Sequence, residues 1–147
     1  MPRFTPHITV ATIVEKEGRF LFVKEHAEER IVLNQPAGHL EMDESLIQAA
    51  IRETLEETGW DIEITGLIGI YLYKAPANNV TYQRVCFAGR AVAQRENHQL
   101  DKGIITPVWL SRDELIEQRA LWRSPMVLRC IDDYLTGERF SLELLKG

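Results

Sequence analysis

Residues 38–60, GHLEMDESLIQAAIRETLEETGW, carry the clearest structural signal in this chain. No glycine or proline interrupts residues 44–58, and apolar residues recur every four positions, at Ile47, Ile51 and Leu55. This spacing predicts an amphipathic helix with those residues on its core side, since positions four apart share a helix face. Ser45 and Gln48 form a possible capping box, with Asp43 as the alternative N-cap, and Gly59 stands where a helix commonly ends.

A second face of this predicted helix is strongly acidic. Glu53, Glu56 and Glu57 fall within an arc of about 100°, and Arg52 lies beside them. Like charges at these spacings destabilise a helix by a few tenths of a kcal/mol per pair. A hard divalent cation such as Mg²⁺ would relieve that repulsion. A solvated acidic surface face is the alternative, but a glycine loop at residues 36–40 leads directly into the helix and favours a metal site.

The spacing of these residues resembles the motif of Nudix hydrolases, G-x5-E-x7-R-E-U-x-E-E-x-G-U, in which U is a bulky apolar residue. Gly38, Glu44 and Gly59 occupy its outer glycine and glutamate positions, and residues 52–57 occupy its centre. The chain departs from the motif at Thr54, a polar residue at the first U position. Three outer segments, residues 6–11, 34–41 and 123–125, are similar to a subgroup of the family, the NudJ-type phosphatases.

The resemblance implies a set of roles for this chain. The metal ligands would be Glu53, Glu56 and Glu57, with a backbone carbonyl of Ala37 or Gly38, and the catalytic residues would be these glutamates and Arg52. One of the glutamates would serve as general base, and Arg52 would orient the carboxylates. Glu44 would brace the loop, and Gly59 would have a structural role. The cofactor would be Mg²⁺, with Mn²⁺ possible.

Residues outside the motif are candidates for further roles. Many Nudix enzymes add an acidic residue from a later loop, and Asp101 is the candidate here, with a solvated loop residue as the alternative. Arg84 and Arg123 are candidates for substrate phosphate binding, against ordinary surface roles. Gln35 could bind substrate or close its loop. Tyr71, Tyr73, Tyr82, Phe87 and the three tryptophans are candidates for stacking on a base, against roles in the core.

Composition limits the function classes. The chain has 147 residues, 45% hydrophobic and 27% charged, which is typical of one globular domain spanning residues 1–147. A net charge of −5 argues against nucleic acid or anionic membrane as a partner. The two cysteines lack zinc spacing, which favours a reducing, cytoplasmic setting. No apolar segment has the length of a membrane span, and no secretory leader is recognisable.

Strand-like runs at residues 9–14, 19–24, 62–73 and 80–93 surround the predicted helix, and this order of elements indicates an α+β fold. The resemblance specifies it as the Nudix fold, an α/β/α sandwich with a mixed β-sheet flanked by helices. By the same resemblance we expect a Mg²⁺-dependent hydrolase of nucleoside di- and triphosphates and related small pyrophosphates that releases orthophosphate. The alternatives are a pyrophosphohydrolase of nucleotide sugars or dinucleoside polyphosphates and a non-catalytic ligand-sensing domain. The expected state is a monomer or homodimer.

Overall fold

The computed structural model describes residues 2–147, and within them seven strands form one mixed sheet. The central strands run in the order β3-β2-β1-β6-β5, with β1 and β6 parallel. Strand β4 pairs with β1, and β7 pairs with β2. The strands are β1 His7–Lys16, β2 Arg19–Ala27, β3 Arg30–Asn34, β4 Ala37–His39, β5 Trp60–Lys74, β6 Thr81–Gln94 and β7 Ile104–Leu110.

Three α-helices cover the sheet: α1 Leu46–Thr58, α2 Arg112–Glu117 and α3 Met126–Leu135. The predicted capping box is confirmed, with Ser45 as the N-cap of α1, so the helix begins two residues later than the uninterrupted segment. The predicted end at Gly59 is also confirmed, because this residue adopts φ 77° and its N–H donates to the Leu55 carbonyl. Among residues 2–147, no helix combines the length and apolar character needed to span a membrane.

The helices lie on opposite faces of the sheet, as the sandwich prediction requires. On β1, Val10 belongs to the cluster that contains Ala50 of α1. The neighbouring Ala11 and Ile13 belong to the cluster that contains Ile131 of α3. Since successive strand residues point to opposite faces, β1 separates two apolar layers. The prediction of an α+β fold with a mixed sheet between helices is therefore confirmed.

The predicted core face of α1 was wrong in part. Ile47, Ile51 and Leu55 are half-buried and lie at the margin of the contact. The fully covered face consists of smaller or polar residues, namely Ala49, Ala50, Thr54, Glu57 and Thr58. Thr54 is 0% exposed and its hydroxyl donates to the Ala50 carbonyl at 2.8 Å, so its polar group is satisfied within the helix. Small side chains let the helix approach the sheet closely, and this places Glu57 against it.

The loop expected at residues 36–40 contains the short strand β4. Its residues pair with β1, with Val10 opposite Gly38 and Ala11 opposite Ala37. This pairing fixes the segment that precedes α1 at the edge of the sheet. The backbone of β4 therefore faces the acidic side of the helix in a defined register.

Candidate active site

Arg52 is the centre of the acidic side of α1. Its Nε and Nη2 donate to the two carboxylate oxygens of Glu44 at 2.8 and 2.7 Å. Its Nη1 donates to Glu53 at 2.8 Å and to Glu56 at 3.1 Å, and Nη2 also donates to the His39 carbonyl. Such a fork of charge-assisted bonds fixes carboxylate orientation. The orienting role expected of Arg52 therefore matches its contacts.

Glu44 connects the loop to the helix. Besides its two bonds from Arg52, its Oε1 accepts from the Glu41 N–H at 2.9 Å. The hydrogen bonds from Arg52 hold the pKa of the Glu44 carboxyl below its ordinary value. Hydrogen bonds to Glu44 and Glu53 in turn raise the pKa of Arg52, so its guanidinium stays charged. This geometry is that of a loop brace, the role expected for Glu44.

Glu57 faces the sheet and is 8% exposed. Its Oε1 accepts a hydrogen bond from the Ala37 N–H of β4 at 2.9 Å. Burial raises the pKa of this carboxyl to about 9, an effect to which the nearby charges of Glu25, Glu53 and Asp101 add. A buried carboxylate of this kind is costly unless a cation accompanies it.

Glu53 lies directly against the backbone of Gly38. A Cβ built on Gly38 would overlap the Glu53 carboxyl group. Only glycine leaves space for this carboxylate beside β4, which explains the residue type at position 38. Burial raises the pKa of Glu53, in opposition to the hydrogen bond from Arg52.

Asp101 joins the acidic group from a distant loop. Glu53, Glu56 and Asp101 each offer a carboxylate oxygen within 4.8 Å of the other two. The Asp101 N–H donates to the Glu56 carbonyl at 2.9 Å, which attaches the loop to α1. Burial and then the Asp101 charge raise the pKa of Glu56. Glu57 lies outside this group of three. The site therefore brings together four carboxylates, and Asp101 is one of the three that lie closest to one another.

These residues fit a hard divalent cation. All the donors are oxygens, the preferred ligands of Mg²⁺, and opposite ligands of an octahedral Mg²⁺ are about 4 Å apart. One carboxylate oxygen from each of Glu53, Glu56 and Asp101 lies within 4.8 Å of the other two, a span comparable with the width of one coordination sphere. A side chain at position 38 would overlap the Glu53 carboxyl, so this carboxylate packs tightly against the β4 backbone. The arrangement is thus suited to a divalent metal ion.

A pocket of about 430 Å³ opens beside this acidic group. Ala37, Gly38 and Glu25 line it on the side of the carboxylates. The β2–β3 turn, the β5–β6 turn and the start of α3 form its other walls. A volume of this size is within the range of small-molecule sites.

Arg84 lies at the base of the pocket and is 7% exposed. Its Nη2 donates to Gln35 at 2.6 Å and to Asn34 at 3.3 Å, and both acceptors are neutral amides. Its Nε has no hydrogen-bond partner within residues 2–147. A buried cation held by neutral groups keeps its charge available to an anion. Arg84 therefore has the environment of a phosphate-binding residue.

Gln35 is fully buried. It accepts from Arg84, and its Nε2 donates to the Val127 carbonyl at 2.7 Å. These bonds link β6, the segment before β4 and α3. The sequence suggested substrate binding or loop closure for Gln35, whereas its contacts indicate a third role, the positioning of Arg84.

Arg123 also lines the pocket and is held by Glu25. Its Nη1 donates to Glu25 Oε1 at 2.6 Å, and the Glu25 side chain is only 14% exposed. Glu25 was not anticipated from the sequence, because nothing in the sequence of β2 marks its one glutamate as part of a site. Asn34 was missed for the same reason, and only the folded pairing of β3 with β2 brings both residues to the pocket.

Comparisons with known proteins identify the family of this chain. The family model for the NUDIX domain matches residues 4–130. This chain belongs to the Nudix family. The phosphatase NudJ of Escherichia coli strain K12 is 38% identical over 142 residues, which cover 97% of this chain and 92% of that protein. The chain is therefore a Nudix hydrolase that acts on pyrophosphate bonds, and it is related to NudJ.

Solved structures give the same result for the fold. A NUDIX hydrolase from Nitrosomonas europaea has a TM-score of 0.95 and 42% identity, with 97% of both chains covered. An ADP-ribose pyrophosphatase from Streptococcus suis has a TM-score of 0.69 and 18% identity, with 93% of this chain and 98% of that chain covered. At that identity the second likeness bears on the fold alone. The predicted Nudix fold is confirmed.

Proposed function

We propose that this Nudix hydrolase uses Mg²⁺, or Mn²⁺, to cleave phosphoanhydride bonds of nucleoside di- and triphosphates and related small pyrophosphates. The convergence of Glu53, Glu56 and Asp101 around Arg52, beside a pocket with a buried Arg84, carries this proposal. The carboxylates supply a cation site, and the arginine supplies an anion site next to it.

The residues divide the work of hydrolysis between them. Glu53, Glu56 and Asp101 would hold the divalent cation, with Glu57 and the Gly38 carbonyl adjacent. When bound, such a cation neutralises phosphate charge and acidifies water. Arg52 keeps the carboxylates oriented, and Arg84 and Arg123 bind phosphate oxygens. A glutamate of this group accepts the proton of the attacking water.

Removal of the metal and of single carboxylates tests the proposal. Chelator-treated protein is expected to be inactive and to regain activity with Mg²⁺ or Mn²⁺. Glu56→Gln and Glu57→Gln should each lower kcat by about tenfold or more, because metal-centred stabilisation contributes several kcal/mol. Both variants should keep the melting temperature, since Gln keeps the size and helix propensity of Glu.

The matched control is Glu117→Gln at the exposed end of α2. This variant should retain wild-type kcat. Full turnover in excess chelator, or wild-type kcat in both site variants, would contradict the metal assignment.

The bond that is cleaved forms a second part of the proposal. The relation to NudJ, whose name describes a phosphatase, supports release of orthophosphate from the end of the phosphate chain. Phosphorus NMR of a triphosphate hydrolysed in ¹⁸O-labelled water identifies the phosphorus that is attacked. Label in orthophosphate supports this part, and pyrophosphate as the first product contradicts it while leaving the Nudix assignment intact.

We also propose a cytoplasmic setting and a single-domain organisation. Two buried, free thiols at Cys86 and Cys130 support a reducing cytoplasm. The acidic net charge supports a small-molecule substrate and argues against nucleic acid. The extent of the family match supports one Nudix domain across the chain, as a monomer or homodimer. The Nudix motif keeps all its glutamates, at Glu44, Glu53, Glu56 and Glu57, which favours catalysis over ligand sensing.

A further inference from the structure

Glu25 is an acidic residue in a pocket that is otherwise suited to phosphate. It lines the pocket together with Arg84 and Arg123, yet its side chain is only 14% exposed. A carboxylate beside a phosphate repels it, so an unpaired glutamate here would oppose substrate binding. Arg123 Nη1 donates to Glu25 Oε1 at 2.6 Å and balances this charge. The ion pair thus places a negative charge at a site for anions.

Both members of the ion pair are anchored to the same part of the sheet. Glu25 is opposite Val32 in the β2–β3 ladder and opposite Ile104 in the β2–β7 ladder. The Arg123 N–H donates to the Leu33 carbonyl of β3 at 2.9 Å. The two backbones are therefore fixed before any ligand arrives, and the guanidinium is preorganised by its bond to the carboxylate.

Glu25 also lies next to the acidic group. The following residue, His26, donates its N–H to the Gly103 carbonyl at 2.8 Å, in the loop that carries Asp101. Burial is the main cause of the raised pKa of Glu57, and the charge of Glu25 adds to it. Glu25 is therefore placed between the carboxylates of the cation site and the guanidinium that it binds.

Arg123 keeps most of its donors free. A guanidinium has five N–H donors, and within residues 2–147 the only hydrogen bond from this side chain is the one to Glu25. The Arg123 side chain is 49% exposed and lines the pocket, so its other donors are accessible to a ligand. Glu25 is costly to release from the pair, because a carboxylate this deeply buried would lose its partner. A phosphate is therefore expected to bind Arg123 alongside Glu25 and not to replace it.

The two arginines of the pocket are held in different ways. Arg84 is held by neutral amides and offers its whole charge, whereas the charge of Arg123 is balanced by Glu25. Arg123 retains its directionality, since a fork of N–H donors can contact a carboxylate and a phosphate at once. We propose that Glu25 is a positioning residue, which orients Arg123 as a bridge to a phosphate oxygen of the bound diphosphate. This inference rests on the proposed phosphoanhydride hydrolysis and adds the residue that orients one of its two arginines.

A double-mutant cycle tests the positioning role. Glu25→Gln keeps the size of the side chain but removes its charge, and Arg123→Gln removes the guanidinium. In Glu25→Gln the kcat/KM for ADP should fall about tenfold or more, mainly through KM, because a misplaced binding group is costly. In the Arg123→Gln background the same change should leave kcat/KM unchanged or raise it, because a carboxylate without its arginine only repels phosphate. An equal loss in both backgrounds would mark a merely structural glutamate and overturn the inference.

Glu25→Asp separates position from charge. This variant keeps the carboxylate but shortens the side chain by one methylene group, so Arg123 can no longer be held at the same place. We expect KM for ADP to rise in this variant as well, and melting curves show that each variant is folded under the assay conditions. A wild-type KM in Glu25→Asp would show that only the charge at position 25 matters, which would overturn the positioning role.

Binding of methylenediphosphonate, a diphosphate analogue that resists hydrolysis, separates this inference from the proposed activity. Isothermal titration calorimetry with Mg²⁺ present measures its Kd. Glu25→Gln should raise the Kd about tenfold or more, the usual loss for a hydrogen bond to a charged group. Binding of the analogue without hydrolysis of ADP would sink the proposed function alone. A Kd that Glu25→Gln leaves unchanged, or no binding in wild type, would overturn the inference.

Glu63→Gln is the matched control. Glu63 of β5 is opposite Arg90 of β6 and forms an ion pair with it, and neither residue lines the pocket. This variant also removes one glutamate from an ion pair between neighbouring elements, and it should leave both the Kd and kcat/KM unchanged. A comparable loss in this variant would show that the effect is general to removal of an ion pair, which also counts against the inference.

Discussion

Gly38 and Glu53 form the tightest contact of the acidic site. In Gly38→Ala the new methyl group would displace the Glu53 carboxyl, since a Cβ there overlaps it. We expect kcat to fall about tenfold or more and stability to fall by about 1–3 kcal/mol, the usual cost of overpacking. The control is Gly66→Ala, whose Cβ would meet the flexible Arg139 side chain at 3.3 Å. Steady-state kinetics and thermal melting measure both; wild-type kcat in Gly38→Ala would show that Glu53 can work from another position.

The Glu44–Arg52 pair gives a pH prediction. Because the pKa of Glu44 is lowered in the folded state, its contribution to stability is present above the ordinary value of 4.5 and is lost as pH falls through the lowered pKa. Glu44→Gln removes this contribution. The difference in melting temperature between wild type and Glu44→Gln should therefore be largest near neutral pH and shrink in acid. A difference independent of pH would show that the carboxylate charge is not its source.

Single residues were predictable where local spacing determines their neighbours. The association of Arg52 with Glu53 and Glu56 follows from one helix turn. Asp101 reaches the same group because the fold brings a distant loop to the helix. Only the resemblance to Nudix enzymes made it a candidate beforehand. Glu25, paired with Arg123 across 98 residues, had no local signal.

At the level of elements, two substitutions in α1 test which face of the helix is buried against the sheet. Ala50 is 1% exposed against the sheet, whereas Gln48 is exposed. Ala50→Asp should unfold the protein or lower its stability by several kcal/mol, because the site would bury an unpaired carboxylate. Gln48→Asp introduces the same side chain into solvent and keeps a capping-box acceptor for the Ser45 N–H, so it should melt close to wild type. Equal melting temperatures for the two variants would show that the face assignment is wrong.

The strands and helix caps were predictable, but how closely α1 packs against the sheet was not. Alternating apolar runs and turn residues located β1, β2, β5 and β6 because strand periodicity is a local property. The buried face of α1 consists of Ala, Thr and Glu, which carry little hydrophobic signal. β4 has three residues and owes its structure to pairing with β1, so no local pattern could reveal it.

For the whole molecule, the site is a concentration of like charge that a cation should relieve. Adding Mg²⁺ to metal-free protein should raise the melting temperature, since a ligand that binds only the folded state stabilises it. Glu56→Gln, which removes one carboxylate of the group, should reduce that rise. Glu117→Gln on α2 serves as the control and should keep it. If Mg²⁺ leaves the melting temperature of the wild type unchanged, this result would contradict the cation site.

The interlocking of β4 with α1 also governs how this protein can evolve. A side chain at position 38 collides with Glu53, and Glu53 shares Arg52 with Glu44 and Glu56, so a lone change in this set harms its neighbours. The turn between β5 and β6, by contrast, lines the pocket at Ala75, Ala77 and Asn78 and lies outside this interlocked set. Descendants of such a chain can therefore acquire new substrates through substitutions in one turn, while the residues that carry out hydrolysis are inherited unchanged.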